Sequence, residues 1–398
     1  MQNGQPYQRI FVVIIDSLGI GATADANHFE SLGADTLGHL GEHFRVRLQL
    51  PTFQKMGLGN LHPIMGMSSL EKLHAAYGQM NSISTGLSDR ESQWEMMGLA
   101  TTAEPDVFID GVPLEIATNF ARKTKRPLLS NSLMNIRTAL KDYGLEQFAT
   151  GGLLLATASS SSVWLIAHEQ TISVGELKED CQILRKLLDN SPYTIENVNG
   201  LLFSGNQPAN FYPQELYKFP LAPASPTVID CLLEAGYAVK LIGKSTQFFG
   251  LDHNEITGNN KESFVQLQEL IDKKFTGVCI AEVGKIEQFG KARNPEGFGT
   301  ELMRIDHELT KIIDKLQDDD LLIVTGNFGN DPTYPGEKHT REYVPLLVTS
   351  PQIKPNISLG GRSFSDIGAT ILDNYDLEDK LLIGNSFLSA VCKIKLEK

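Results

Sequence analysis

The chain has 398 residues, enough for two or three domains around a large core. Apolar residues make up 41% and charged residues 21%, the balance of a soluble globular protein. The formal net charge of -13 speaks against nucleic acid and anionic membrane as partners, since no strong basic block offsets it.

In chain order, the first signal is RIFVVIIDSLGIG (9–21), a near-continuous apolar run that predicts a buried strand ending at Asp16. FVVII within it, like GGLLLATA at 151–158, is far short of the ~20 residues a membrane helix needs. The preceding MQNGQPYQRIF lacks a charged head, apolar stretch and cleavage site, so no secretory signal is expected. An aspartate placed directly after a buried strand and before glycines can present its carboxylate to a divalent cation or a phosphate-bearing site. The same pattern also suits a turn aspartate that caps the next segment.

Residues 101–220 differ in texture. They contain helical patterns (PLEIATNFARKT, GELKEDCQILRKLLDN), an apolar strand (LLLATAS), a serine run at 159–162 and the polar stretch NQPANFYPQEL. The KTKR run at 123–126 is expected to be a solvated helix end. This region is predicted to be an inserted second domain, so that 1–100 and 221–398 form one α/β domain around it.

Beyond it, AVKLIGK (238–244), TGVCIAEVG (276–284), LLIVTGNFG (321–329) and VPLLVTS (344–350) read as further buried parallel strands. Helices are predicted at 225–237, with Ser225 as cap, and at 297–317. Ligands collect at the carboxyl ends of strands in such sheets, where Asp16, Lys244, Gly284 and Asn327 fall. Cys181, Cys231, Cys279 and Cys392 are far apart, with no CxxC pair, and are expected to be reduced, mostly buried thiols of a cytoplasmic protein.

Six segments, in this order, resemble phosphopentomutase: DSLGIGATADANHFESLGADTLGHL (16–40), LPTFQKMGLGNL (50–61), STG…WEMMGL (84–99), SPTVIDCLLEAGYAVKLIGK (225–244), GNDPTYPGEKHTREYVPLLV (329–348) and SFSDIGATILDN (363–374). The resemblance covers nearly the whole chain. It implies an alkaline-phosphatase-like α/β core, with a mostly parallel sheet and helices on both faces, plus an inserted, smaller α+β cap domain. It also implies the family's reaction, the interconversion of ribose 1-phosphate and ribose 5-phosphate, with two manganese ions and a phosphorylated threonine. In such phosphoryl transfer, cations clamp the attacking and leaving oxygens.

Carried over position by position, the resemblance implies metal ligands at Asp16 and His339. Asn327 and Phe328 replace the family's Asp-His after a core strand, and Ile286 and Lys291 align with another Asp and His, with Gly284 replacing a further Asp. The family's STGKDTMTGHWE corresponds to STGLSDRESQWE, which puts Asp89 at the acceptor threonine and Gln93 at a histidine. Two cap arginines of the family are absent between Asn199 and Asn206, and Lys244 matches a family lysine that can bind substrate or simply be solvated. These replacements predict a pseudoenzyme with no cofactor, its role being to bind a small phosphorylated sugar or nucleotide, or a protein partner. The alternative is an active phosphotransferase or mutase, either metal-independent with Asp89 as the acceptor or using metal ligands that the alignment misplaces.

Overall fold

The computed structural model describes residues 5–102, 104–250, 262–336, 338–378 and 382–393. Among them run twelve strands: β1 (Arg9–Ile15), β2 (Ala76–Asn81), β3 (Leu128–Leu133), β4 (Leu153–Thr157), β5 (Ser162–His168), β6 (Asn197–Ser204), β7 (Tyr212–Pro220), β8 (Ala238–Ile242), β9 (Gly277–Val283), β10 (Asp320–Thr325), β11 (Val344–Thr349) and β12 (Ile357–Ser363). The chain forms two compact units. One runs up to Thr102 and resumes at Pro223; the other lies between them in sequence.

The first unit holds a seven-stranded sheet in the order β12-β2-β11-β10-β1-β9-β8. β1 sits inside it, parallel to β10 on one side and β9 on the other, with Ile14 level with both Thr325 and Glu282. Side chains alternate across a strand. Phe11, Val13 and Ile15 therefore pack into one helical layer, with Leu37, Phe53, Leu267, Phe298 and Ile305. Ile10, Val12 and Ile14 face the other layer, where helices Asp89–Met96, Val228–Glu234 and Ser365–Asn374 pack on one another. Both faces of the strand are covered, which is why it reads as an unbroken apolar run.

Two expectations need correction. β11 is antiparallel to both β10 and β2, not parallel, because the loop after β10 brings the chain back alongside it. A strand covered on both faces looks the same from sequence in either direction. Helix Val228–Glu234 is capped by Thr227 rather than Ser225: the Thr227 N–H and hydroxyl both donate to Asp230, at 2.6 and 2.8 Å.

The second unit is a five-stranded mixed sheet, β3-β4-β5-β6-β7. Helices Leu114–Thr124 and Val174–Asp189 bury Phe120, Leu177 and Leu184 with one face, and Ile136–Thr150 buries Ala139 and Leu140 with Phe203 and Ile166 of the other. Among the described residues, no helix is long and apolar enough to cross a membrane. Cys181, Cys279 and Cys392 are buried thiols.

Candidate metal centre

The carboxyl ends of β1, β8, β9 and β10 lie along one edge of the main sheet, and each strand delivers a polar side chain there. Asp16 follows β1 and is buried. Ser17 next to it adopts a left-handed conformation (φ 63°), which is unusual for a residue with a side chain. Two bonds hold the turn: the Ser17 N–H donates to Asn327 Oδ1 at 3.0 Å, and its hydroxyl donates to Asp16 Oδ1 at 2.9 Å. Backbone strain of this kind clusters at functional sites.

Lys244, just past β8, is the hub. Its Nζ lies 3.0 Å from Asp16 Oδ2, 2.8 Å from Asp89 Oδ2, 2.8 Å from Glu287 Oε2 and 3.3 Å from Glu282 Oε1. Asp89 opens helix Asp89–Met96, where the N-terminal partial charge favours a carboxylate, and Ser88 caps that helix through the Glu91 N–H. Glu282 lies within β9 and accepts from Gln93 Nε2 at 2.7 Å. Glu287 begins the short helix Glu287–Lys291, and Lys291 pairs with it from the rim.

The remaining residues close the edge. Asn327 Nδ2 donates to Asp89 Oδ1 at 2.6 Å, and its Oδ1 also accepts the Phe328 N–H at 3.0 Å. Phe328 is buried and stacks face to face on His339, with centroids 3.8 Å apart and planes 15° from parallel. His339 Nε2 meets Glu287 Oε1 at 3.0 Å, and Nδ1 meets the Leu87 carbonyl at 2.9 Å.

The electrostatics follow from this crowding. Burial, then the Asp16 charge, pushes Asp89 up to about 6. Burial and then Asp89 raise Glu282 well above the usual carboxylate range. Glu287 goes the other way, drawn down by its bond to His339 against the effect of burial, with help from Lys244 and Lys291. Burial opposes the Lys244 charge, but Asp16, Glu282 and Asp89 overcome it and raise the ammonium above its ordinary value.

The family model of the metalloenzyme superfamily matches residues 8–379. Phosphopentomutase of Limosilactobacillus reuteri is 37% identical over 394 residues, covering 97% of this chain and 99% of that one. The chain belongs to the phosphopentomutase family. The phosphopentomutase of Levilactobacillus brevis is also 37% identical, covering 96% and 99% of the two chains. A solved TAB5 alkaline phosphatase mutant covers 94% of this chain and 99% of that one, at 12% identity and a TM-score of 0.38, a likeness too loose to add to the assignment.

Set against the family resemblance, the structure brings four of the expected positions together: Asp16, Asp89, Lys244 and His339 with its partner Glu287. Ile286 is fully buried in the apolar layer beneath, and Phe328 is likewise buried. The lysine in cation-like company is Lys244 and not Lys291, whose side chain is half exposed at the rim. The sequence reading missed Glu287 and Glu282. Glu287 stands one residue past the aligned position in KIEQFGK. Glu282 was legible in another way, as a lone acid inside the apolar run VCIAEV, where an unpartnered carboxylate would be costly.

The family match and the carboxylate cluster overturn the expectation of no cofactor. Asp16, Asp89 and Glu287 offer oxygens that all lie within 4.8 Å of one another, and the matching family model is one of metalloenzymes. Hard oxygen donors in such number suit a divalent cation. The ammonium alone has three N–H groups for four carboxyl groups, and Gln93 Oε1 is buried without a partner. The residues present therefore fit one cation, held by Asp16, Asp89 and Glu287.

Proposed function

We propose that this phosphopentomutase-family protein acts in the cytoplasm as a cation-dependent binder of a phosphorylated sugar and does not itself interconvert pentose phosphates. The observation that carries this reading is Asp89. It stands where the resemblance places the acceptor threonine, and its carboxylate is occupied by Lys244 at 2.8 Å and Asn327 at 2.6 Å, with no hydroxyl in its place. Phe328, stacked on His339, supports it further, since an aromatic ring cannot supply the ligand that the family has there. A pocket of about 550 Å³ adjoins His339 and is lined by His28, Phe29, Glu30, Leu87, Lys291 and Lys338; its two lysines, paired with Glu30 and Glu287, could turn to a phosphate. The buried thiols Cys181, Cys279 and Cys392 support the compartment.

The test pairs turnover with binding. With a divalent cation and a sugar bisphosphate activator, the protein should give no ribose 5-phosphate from ribose 1-phosphate, while ribose 5-phosphate should raise its melting temperature. Turnover that Asp16→Ala abolishes would refute the reading. A second reading is favoured by the 2.8 Å contact between Lys244 and Asp89. On that reading an Asp89 oxygen attacks the phosphorus of a sugar bisphosphate, the P–O bond to the sugar breaks, and the sugar leaves as its alcohol once protonated by solvent. A mass gain of one phosphoryl group, lost in Asp89→Asn, would select it.

A further inference from the structure

We propose that Lys244 is a tethered occupant of the cation position: its ammonium and a divalent cation exclude one another, and a cation binds only when the lysine side chain swings out. The inference rests on the cation site proposed above and adds what controls its occupancy.

The geometry carries it. The three carboxylates that would hold the ion, Asp16, Asp89 and Glu287, are the same three to which Lys244 Nζ donates, at 2.8–3.0 Å. A cation with ligand distances of about 2.0–2.6 Å to those oxygens would lie on top of the nitrogen. The carboxylates converge from the end of β1, the start of helix Asp89–Met96 and the short helix after β9, so the enclosed point is fixed by three separate elements. The lysine itself is less constrained. Two-fifths of its side chain is exposed. It rises from the short turn Gly243–Gln247 on a flexible four-carbon stem, so its departure requires no repacking of the core.

An ammonium is also an incomplete occupant. It cannot direct three N–H bonds at four carboxylates at once, and Glu282 is the one left longest, at 3.3 Å. A divalent ion accepts six or more oxygens and would relieve that excess. The lysine thus offsets part of the charge of the carboxylate cluster when no cation is bound, and it weakens cation affinity by the fraction of time it spends in place. If the lysine is out about one-tenth of the time, affinity falls about tenfold.

Calorimetric titration of Mn2+ into the full chain, wild type and Lys244→Met, tests this. Lys244→Met should bind Mn2+ at least about tenfold more tightly, and Asp16→Asn added to it should abolish the binding. A second measurement uses the wild-type chain alone, in case the methionine variant does not fold. Lys244 is methylated with formaldehyde and a borane reductant, and the peptide is read by mass spectrometry; saturating Mn2+ should speed its modification severalfold. If Mn2+ binds but Lys244→Met gains no affinity, or the modification rate does not change, the lysine is an ordinary ion-pair partner and the inference falls while the cation site stands. If neither protein binds Mn2+, the cation site itself is wrong and the inference goes with it.

Discussion

Glu342 and the carboxylates around Lys244 lie, buried or half-buried, at the same edge of one sheet, and they are satisfied in different ways. Glu342 accepts from the N–H groups of Gly21 and Thr36 at 3.1 and 2.9 Å, and from the hydroxyls of Thr36 and Thr340 at 2.7 and 2.6 Å. Every partner is a neutral dipole, and no other carboxylate faces it in that set. Gly19 and Gly329 complete the cradle, since a Cβ at either would lie 2.3 or 2.1 Å from a Glu342 oxygen. Asp16, Asp89, Glu282 and Glu287 instead share one ammonium. A carboxylate ringed by neutral donors is finished as structure. Carboxylates gathered around one movable charge remain able to exchange it for another.

The largest expected effect breaks the finished arrangement. Glu342→Ala would strand two N–H groups and two hydroxyls in a buried place, and should cost about 3 kcal/mol or more in urea denaturation. A loss below about 1 kcal/mol would mean that the loop relaxes and that Glu342 does not set its shape.

At the crowded cluster the expected sign reverses. Glu282→Gln removes one of the four carboxylates around Lys244 and keeps the side-chain shape. Its stability should be unchanged or higher by up to about 1 kcal/mol, because burial and Asp89 already disfavour the charged form of Glu282 and a neutral amide of the same shape removes that tension. A loss of more than about 1 kcal/mol would make Glu282 the principal counter-charge of Lys244 and would erase the contrast with Glu342.

The same contrast explains what the sequence discloses. Asp16 and Lys244 could be placed because each follows a strand marked by a β-branched run, whereas Asp89 and His339 were placed through the motifs STGLSDRESQWE and KHTRE that carry the resemblance. Glu287 escaped because its placement depends on the helical phase after β9: Ile286 turns into the core and the next residue turns out to the site, a single-residue choice that alignment to a V-D-x-D pattern obscures. β2 (AYGQMN) and β12 (ISLGGRS) were missed because they are half polar, with alternating or partial burial, and gain their identity from pairing with each other and with β11. Asp331, in the loop that carries His339, is scaffold: it accepts from the Asp35 and Thr333 N–H groups and is bonded to His39 Nδ1 at 2.5 Å.

The smallest effect tests that scaffold role through pH. Asp331 is held below its usual range, against burial, by the Asp35 and Thr333 N–H groups and by His39, and His39 is raised, against burial, by Asp331. A histidine raised in the folded state contributes stability that is full below its unfolded value of about 6.5 and is lost as pH climbs through the higher folded value. One-third of the His39 side chain is exposed, so solvent screening limits the contribution to less than about 1 kcal/mol. His39→Gln should therefore match the wild type in stability near pH 8 and fall below it near pH 6, by a few tenths of a kcal/mol. A difference that grows with rising pH would have the wrong sign for an imidazolium–carboxylate pair. It would place His39 with the neutral donors around Glu342, and leave Lys244 with the rim pairs of Glu287 as the charge-paired system of this edge.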